Sequence, residues 1–527
     1  MPPRRPRRSK EATAPPPKPG GSPIPLDNDE LKRIILDTFG ETDVLHSRTV
    51  RVGGERGLRV LAIYDCSLFN AAEAAKTVFE PLIAYGDRPI TRTNAIEVLK
   101  ERVLTNAVID FADTIEGVIE KILSGRVVLH PEGSRQALVC DVSQTPMRSV
   151  EEPETEGIAR GPREGFVEQI EANLALLRRR LRTPHLRTES FTVGKYTQTR
   201  VVLTYIEGVA SETVVAEARS RLERIGVNID GLLVSETVVE LIEDHPFSLF
   251  PTINTTERPE RVAAALLEGR FAIFVEGTPF ALFAPTYFAE FFTSSADHTE
   301  RSITTLMLRT VRLLSLFITL FLPSIYVALV SFHHEAIPTI LLLSIALGRE
   351  GVPFPPAGEA FLMEGAFEVL REAGLRLPKT LSNAVSIVGV LVIGQAAVAA
   401  KVISPIMIII VGLTAVASFT TPNFGTANVL RFLRFPILFL TALFGAIGML
   451  ISFILLVTHL VSLRSFGVPY MAPLAPFRYN EIKKGLWRRP VWDRGPRPAT
   501  LFAQDTDRQE GGLMPRPPRE GEDGGKG

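Results

Sequence analysis

Three carboxylates are the side chains whose spacing most directly suggests chemistry. Glu364 and Glu368 stand four positions apart and share a helix face, and Glu359, five residues earlier, can flank the same surface. If copies of this helix surround a pore, the carboxylates attract cations. A second interpretation, compatible with the first, is an amphipathic helix over 358–373 that lies at a membrane interface.

One amide, Gln395, interrupts the run AVSIVGVLVIGQAAVAA at 384–400. A polar residue inside a membrane span is functional by default. Val385, Val388 and Val392 precede Gln395 at helical spacing, so all four share one face. We predict that this face lines a narrow apolar gate with Gln395 at one end. The alternative is that Gln395 bonds to a neighbouring helix while the valines only pack.

The remaining polar residues do not form an enzyme motif. Asp65, Glu207 and Asp230 lack the partner spacing of paired carboxylate catalysis. The runs at 150–166 and 247–264 mix Arg, Glu, Thr and Gly and could hold an anion, but they lack the glycine-rich phosphate motifs. Loops that dock two subdomains are the favoured interpretation. We expect no enzyme activity and no cofactor.

Two further groups could bind metal or react, and each has a simpler interpretation. The His-His-Glu run at 333–335 follows an apolar segment directly, which favours an interfacial loop over a metal site. Cys66 and Cys140 form no metal-binding spacing. They are expected to be reduced thiols in a cytosolic domain.

Charge divides the chain into two kinds of sequence. The 58 basic and 58 acidic residues cancel, so no global charge indicates nucleic acid. Residues 313–463 carry long uncharged stretches, whereas the first 300 residues are charge-rich. We predict a disordered, basic, proline-rich tail at 1–28, which could contact anionic lipid, and a mostly disordered tail at 471–527.

The charge-rich part contains an internal repeat. Five residues recur 141 positions later, and four recur 144 positions later in the same order. The first set is Val52, Gly53, Arg59, Val60 and Tyr64; the second is Gly125, Arg126, Glu132 and Gly133. We predict two copies of one fold over about 29–140 and 166–292, within cytosolic α/β subdomains at 29–150 and 151–300 that have mixed sheets.

One helix of the second copy can be predicted in detail. Ser211 is a suitable N-cap residue. The residues that follow at helical spacing and should be buried are Val214, Ala218, Leu222 and Ile225.

The apolar part, 301–470, is predicted to be a helical transmembrane domain. A span needs roughly 20 mainly apolar residues. The predicted full spans lie near 313–332, 384–400, 403–420 and 435–463, with a short apolar segment at 337–347. Arg431 and Arg434 bear on topology, because five spans would place them on the cytoplasmic side. An even number of spans with both termini cytoplasmic is favoured.

Several long motifs resemble one family. The runs EGVPFPPAGEAFLMEGAFEVLREAGLRLP, AVSIVGVLVIGQAAV and SLRSFGVPYMAPLAP in the apolar part are similar to the A subunit of the GerA-type spore germinant receptors. So are EPETEGIARGPREGF, ERPERVAAALLEGR and EGTPFALFAPTYFAEFF in the charge-rich part. The resemblance covers about 30–477.

The resemblance implies a location, partners and an activity. It places the chain in the inner spore membrane as a multi-pass protein whose N-terminal region is cytoplasmic. The implied partners are a transporter-like B subunit, which binds the nutrient, and a lipoprotein C subunit. Copies of the A subunit are implied to form a homo-oligomer, as a pentamer, that acts as a nutrient-gated cation channel and triggers germination. A close paralogue of the A subunit, encoded with the dipicolinate-release proteins, shares these motifs, and this identity stays open as an alternative.

The chain departs from the family pattern at two places. The family usually has Glu and Gly where this sequence has Ala399 and Lys401. The turn that is usually Ile-Pro-Ser-Tyr reads TPNF at 421–424.

Two other functions stay open: a non-conducting scaffold that relays the signal, and a solute transporter with broken helices near Pro323 and 337–347.

Overall fold

The computed structural model describes residues 21–142, 156–376, 394–482 and 490–509, with short gaps at 41, 55–56, 87, 89, 158–159, 480 and 494, together with 153 and 514–515. The chain divides into unit 1, residues 1–149 with 174–189, and unit 2, residues 150–173 with 190–527. Val385, Val388 and Val392 lie outside the described residues, as does most of the predicted span at 384–400.

The first repeat is a five-stranded sheet covered by helices. Its elements are α1 (Asn28–Phe39), β1 (Leu45–Val52), β2 (Leu58–Asp65), α2 (Ala71–Ala74), α3 (Glu80–Ala84), α4 (Ala95–Val98), β3 (Ile109–Ala112), α5 (Ile115–Leu123), β4 (Val127–Pro131) and β5 (Ala137–Cys140). The strand order is β1-β2-β4-β5-β3. Successive residues of β2 and β4 point to opposite faces, and helices cover both faces, so both sides of these strands are buried.

The second repeat has the same topology. Its elements are α6 (Ile170–Arg180), β6 (Leu186–Val193), β7 (Thr199–Ile206), α7 (Glu212–Ile225), α8 (Ser235–Ile242), β8 (Asn254–Thr256), α9 (Pro259–Leu267), β9 (Phe271–Val275) and β10 (Ala281–Ala284). The order β6-β7-β9-β10-β8 repeats the first sheet strand for strand. Strands β1 and β2 map onto β6 and β7 at the offset of 141 residues, and β4 and β5 map onto β9 and β10 at 144. The predicted duplication and α/β class are confirmed.

The prediction of mixed sheets is wrong, because the sheets are antiparallel. Hairpins join the first two strands of each repeat, and β4 then returns beside β2 in the opposite direction, as β9 does beside β7. Strands alternating with helices suggested parallel crossovers, but the helices here connect strands that are not neighbours. The predicted helix in the second copy is confirmed as α7, with Val214, Ala218, Leu222 and Ile225 buried. Ser211 is its N-cap residue, but its hydroxyl bonds Thr213 Oγ1 rather than a backbone amide.

The rest of unit 2 is helical. Its elements are α10 (Ser302–Ser331), α11 (Thr339–Gly348), α12 (Pro356–Arg376), α13 (Gly394–Ala399), α14 (Pro405–Ser418), α15 (Phe424–Phe444), α16 (Ala446–Ser462) and a short hairpin of β11 (Arg464–Ser465) with β12 (Val468–Pro469). By length and composition α10 and α15 could each cross a membrane, and α11, α14 and α16 are shorter apolar helices.

A glycine turn divides the predicted span at 435–463. Gly445 adopts φ +59° and its amide donates to Thr441 O, which ends α15 before α16 begins. The single tilted helix predicted there therefore differs from the structure, in which two antiparallel helices meet at Gly445. A Cβ on Gly445 would come within 2.8 Å of the Phe332 ring at the end of α10. The end of α10 thus lies beside the turn of the hairpin.

The chain beyond α16 returns to the second repeat. Phe466 enters the core of that repeat, where its ring centroid lies 4.9 Å from that of Phe271. Farther along the chain, Thr500 Oγ1 lies 2.5 Å from the hydroxyl of Tyr287. Tyr287 precedes the first helix of the helical region, α10, in the sequence. The start of α10 and the end of α16 therefore both adjoin the second repeat. The number of membrane crossings stays a prediction.

Candidate functional site

Four charged side chains form a buried cluster between α12 and α15, which we call the charge cluster: Glu364, Glu368, Arg431 and Arg434. Arg434 Nη1 lies 2.8 Å from Glu364 Oε2, and its Nη2 lies 3.6 Å from Glu368 Oε2. Arg431 Nη2 lies 3.7 Å from Glu368 Oε1. The side chains of Glu364 and Arg434 are 1% and 2% exposed. The four formal charges sum to zero.

The spacing of the charges explains why they meet. Two acids four apart on α12 face two arginines three apart on α15, and each spacing keeps a pair on one helix face. Arg434 lies near the middle of a helix that could span a membrane, where an unpaired charge is costly. Its planar fork points toward two carboxylates at once, which the point charge of a lysine cannot match.

The charge cluster is held by proximity of charge more than by well-aligned hydrogen bonds. Both carboxylate oxygens of Glu364 and all three guanidinium nitrogens of Arg434 are buried, and the described residues offer them no hydrogen bond of good geometry. Arg431 does donate from Nη2 to Asn428 Oδ1. A buried polar cluster with this many unmade bonds is sensitive to the loss of any member.

Glu359 has a different partner set. Its Oε1 lies 2.8 Å from Arg349 Nη1, and its Oε2 accepts a 2.8 Å hydrogen bond from the backbone amide of Ser404. Ser404 is the N-cap residue of α14, so a fully buried carboxylate occupies the positive end of that helix. Glu359 therefore ties α12 to the start of α14.

The three predicted carboxylates thus lie on one helix, each paired with an arginine from elsewhere in unit 2. Glu368 keeps the largest exposed fraction of the three side chains, at 22%. Their roles in attracting ions or lying at an interface stay predictions. From the sequence, Arg431 and Arg434 bear only on topology. The missed signal was a pair of arginines, three apart, in a segment that is otherwise apolar.

Gln395 lies on the exposed surface of the short helix α13, together with Ala396 and Ala399. The opposite side of this helix packs inward, where Ala397 joins the cluster around Ile403. The described residues offer the Gln395 amide no hydrogen-bond partner. Its assignment to a gate or to a helix contact stays a prediction.

Lys401 ends this segment in an unusual backbone conformation. Its φ is +55°, in the left-handed region that favours glycine. Its amide donates to Val398 O and the Val402 amide donates to Ala397 O, both at 2.9 Å, which is the pattern of a helix-ending Schellman motif. Glycine, which the resemblance implies at this position, adopts this backbone conformation without strain.

A second buried ion group lies where the helical region begins. The Asp297 carboxylate is fully buried, and it accepts from Arg312 Nη1 at 2.8 Å and from Arg309 Nε at 3.1 Å. Thr305 Oγ1 donates to Asp297 O at 3.1 Å. Three residues of α10 therefore hold the turn that precedes it, so movement of that turn must move the helix.

Comparisons with known proteins identify the family of the chain. The model of the Bacillus/Clostridium GerA spore germination protein family matches residues 33–500. The chain is 42% identical to spore germination protein KA of Bacillus subtilis over 93% of this chain and 90% of that protein. It is 41% identical to spore germination protein B1 of the same organism, over 75% and 82%.

One solved structure is also similar. It is the crystal structure of the N-terminal domain of the A subunit of the Bacillus megaterium spore germinant receptor GerK3, at 32% identity and a TM-score of 0.39, over 51% of this chain and 98% of that one. The family match and the coverage of the curated relatives confirm the resemblance drawn from the motifs. The chain belongs to the GerA family as a spore germination receptor A subunit, a membrane protein and not an enzyme.

Proposed function

We propose that copies of this chain assemble, as a pentamer, into a nutrient-gated cation channel in the inner spore membrane, and that opening of the channel triggers germination. The N-terminal repeats lie in the cytoplasm. A transporter-like B subunit binds the nutrient, and a lipoprotein C subunit completes the receptor. Gln395 lines the gate together with Val385, Val388 and Val392.

The observation that carries the proposal is the exposed amide of Gln395 on a helix of small residues. An amide in an apolar region needs either water or a partner. The side chain of Gln395 is exposed, and on this proposal its amide faces a wet path or another copy. Small exposed residues such as Ala396 and Ala399 also allow helices to approach closely.

The carboxylates of α12 serve this channel in two ways. Glu359 and Glu364 are buried against arginines, so they position α12 rather than meet ions in this conformation. Glu368 also faces Arg431 and Arg434, but it has the largest exposed fraction of the three, at 22%, so we assign the attraction of cations to Glu368. The charge cluster keeps the neighbouring arginines neutralised, which lowers the barrier they would otherwise raise against cations.

The test is conductance of the full chain, reconstituted with its B and C subunits in a planar bilayer. Val388→Ala widens the gate, so current should flow without nutrient. The matched control is Val416→Ala, the same change at an exposed position of α14, which should leave the current dependent on nutrient. A Val388→Ala channel that stays closed without nutrient would contradict the gate assignment.

A non-conducting scaffold is the second candidate. The return of the chain beyond α16 into the core of the second repeat favours it, because that contact links the last helix to the cytosolic region without a pore. The absence of current under any nutrient would select the scaffold. Gene neighbourhood distinguishes either function from the dipicolinate-release paralogue.

A further inference from the structure

A loop at 243–252, between α8 and β8, carries two apolar side chains that protrude from unit 2. Phe247 is fully exposed and Leu249 is 60% exposed. Single exposed apolar residues are ordinary on protein surfaces, so exposure alone assigns no partner. The position of this loop, beside the helical region, indicates the partner.

Packing fixes the loop beside the helical region. Phe250, only 2% exposed, joins the apolar cluster that contains Leu320 of α10 and Leu460 of α16. Ser248 Oγ lies 3.1 Å from Nε2 of His459, in the last turn of α16. The loop therefore touches the helix ends that adjoin the second repeat.

Hydrogen bonds hold the loop in one shape. The Ser248 amide donates to His245 O at 3.0 Å, which closes a turn around Phe247. The hydroxyl of Tyr470 donates to Pro251 O at 2.9 Å, and Ser465 Oγ donates to Thr252 O at 2.6 Å. Phe247 is thus directed outward by a fixed turn.

The outer surface of α16 indicates what this turn meets. Exposed apolar side chains continue along the helix to Val461, one turn or less from the loop contact at His459. Around an apolar helix of a membrane protein that surface is covered by acyl chains. Phe247 and Leu249 flank Ser248, the loop residue that contacts the last turn of this helix. Arg464, exposed directly after the helix, suits the anionic head groups found at that depth.

We propose that Phe247 and Leu249 insert into the phospholipid leaflet on the side of the second repeat, at the boundary between head groups and acyl chains. The second repeat then has its own contact with the bilayer in addition to its links to α10 and α16. Aromatic and apolar side chains are favoured at this boundary. The inference does not depend on channel activity.

Tyr196 provides a matched control in the same unit. It is exposed to a similar degree, at 74%, in the turn between β6 and β7. The pairing of Tyr205 with Phe271 places the other end of β7 next to Phe466 and the helical region. Strand β7 has eight residues and is about 25 Å long at roughly 3.3 Å per residue. Tyr196 therefore lies at the end of β7 opposite to the end that adjoins Phe466.

The experiment is tryptophan fluorescence of the full chain in phospholipid nanodiscs with brominated acyl chains. Trp487 and Trp492 are first replaced by Phe, and Phe247→Trp, Leu249→Trp or Tyr196→Trp is then introduced. We expect blue-shifted emission and about twofold quenching by the brominated lipid at 247 and 249, and neither effect at 196. Emission at 247 and 249 that matches position 196 would overturn the proposal. So would a blue shift without lipid quenching, which would indicate a protein partner.

Discussion

Removal of Arg434 is the perturbation that the charge cluster makes most informative. Arg434→Met keeps the length and much of the apolar volume of the side chain but deletes its charge. Glu364 then loses the partner at 2.8 Å, and the remaining ion pair of the charge cluster is that of Glu368 with Arg431. The loss of one member of a buried ion pair typically costs about 3–5 kcal/mol, because the partner is left buried and unpaired.

A second, compensating change distinguishes loss of the ion pair from a general loss of packing. Glu364→Gln combined with Arg434→Met removes one negative and one positive charge, so Glu368 and Arg431 remain as a balanced pair. We expect the double variant to regain at least half of the stability lost by Arg434→Met, with a coupling energy of about 2 kcal/mol. Arg434→Lys should be intermediate, because one ammonium group cannot bridge two carboxylates.

The assay is unfolding of the full chain by increasing SDS in mixed micelles, followed by the change in helix content. The control is Arg376→Met at the exposed end of α12, where Arg376 pairs with Glu372 at 2.7 Å in solvent. Exposed pairs of this kind contribute little. If Arg434→Met were as stable as Arg376→Met, or if the two cluster changes were simply additive, the cluster would not be a buried ion-pair unit.

Three other predictions use single sites. Lys401→Gly should raise the free energy of unfolding by about 1 kcal/mol, because it relieves the left-handed backbone, whereas Lys401→Ala should give no gain; SDS titration distinguishes them. Burial raises the pKa of the Cys140 thiol to about 12, so iodoacetamide at pH 8 should modify only Cys66 in the native chain, as peptide mass mapping would show. Burial lowers the pKa of His130, so at mildly acidic pH the unfolded state binds a proton that the native state does not bind. The free energy of unfolding should therefore fall as the pH drops below about 6.5. Hydrogen exchange of β4 at pH 7.5 and pH 5.5 should show this loss, and His130→Gln should reduce it; equal protection at both pH values would contradict it.

The sequence contained enough information to identify the duplicated region. Nine identities at two offsets predicted the two repeats, because a repeated fold keeps the residues at its strand ends and turns, such as Gly53 and Gly194. The apolar periodicity of α7 predicted its buried face for the same local reason. Strand direction was not predictable from alternation alone, since it depends on which strands the chain brings together.

The partners of the charged helix were not predictable. Glu364 and Arg434 are 70 residues apart, and no local pattern relates α12 to α15. The break at Gly445 was also missed, because hydropathy continues unchanged across 435–463 and only the backbone conformation marks the turn. Apolar patterns therefore located the helices, while their pairing depended on long-range contacts between charges.

The number of copies in the purified complex tests the proposed channel most directly. The full chain, extracted with its partner subunits into detergent or nanodiscs, can be measured by native mass spectrometry or mass photometry. A ring-forming subunit should be present in several copies, five on the present proposal, and dilution within the nanodisc should not separate them. One copy of this chain in every complex would contradict the channel, because a gate lined by Gln395 needs the same face from several subunits.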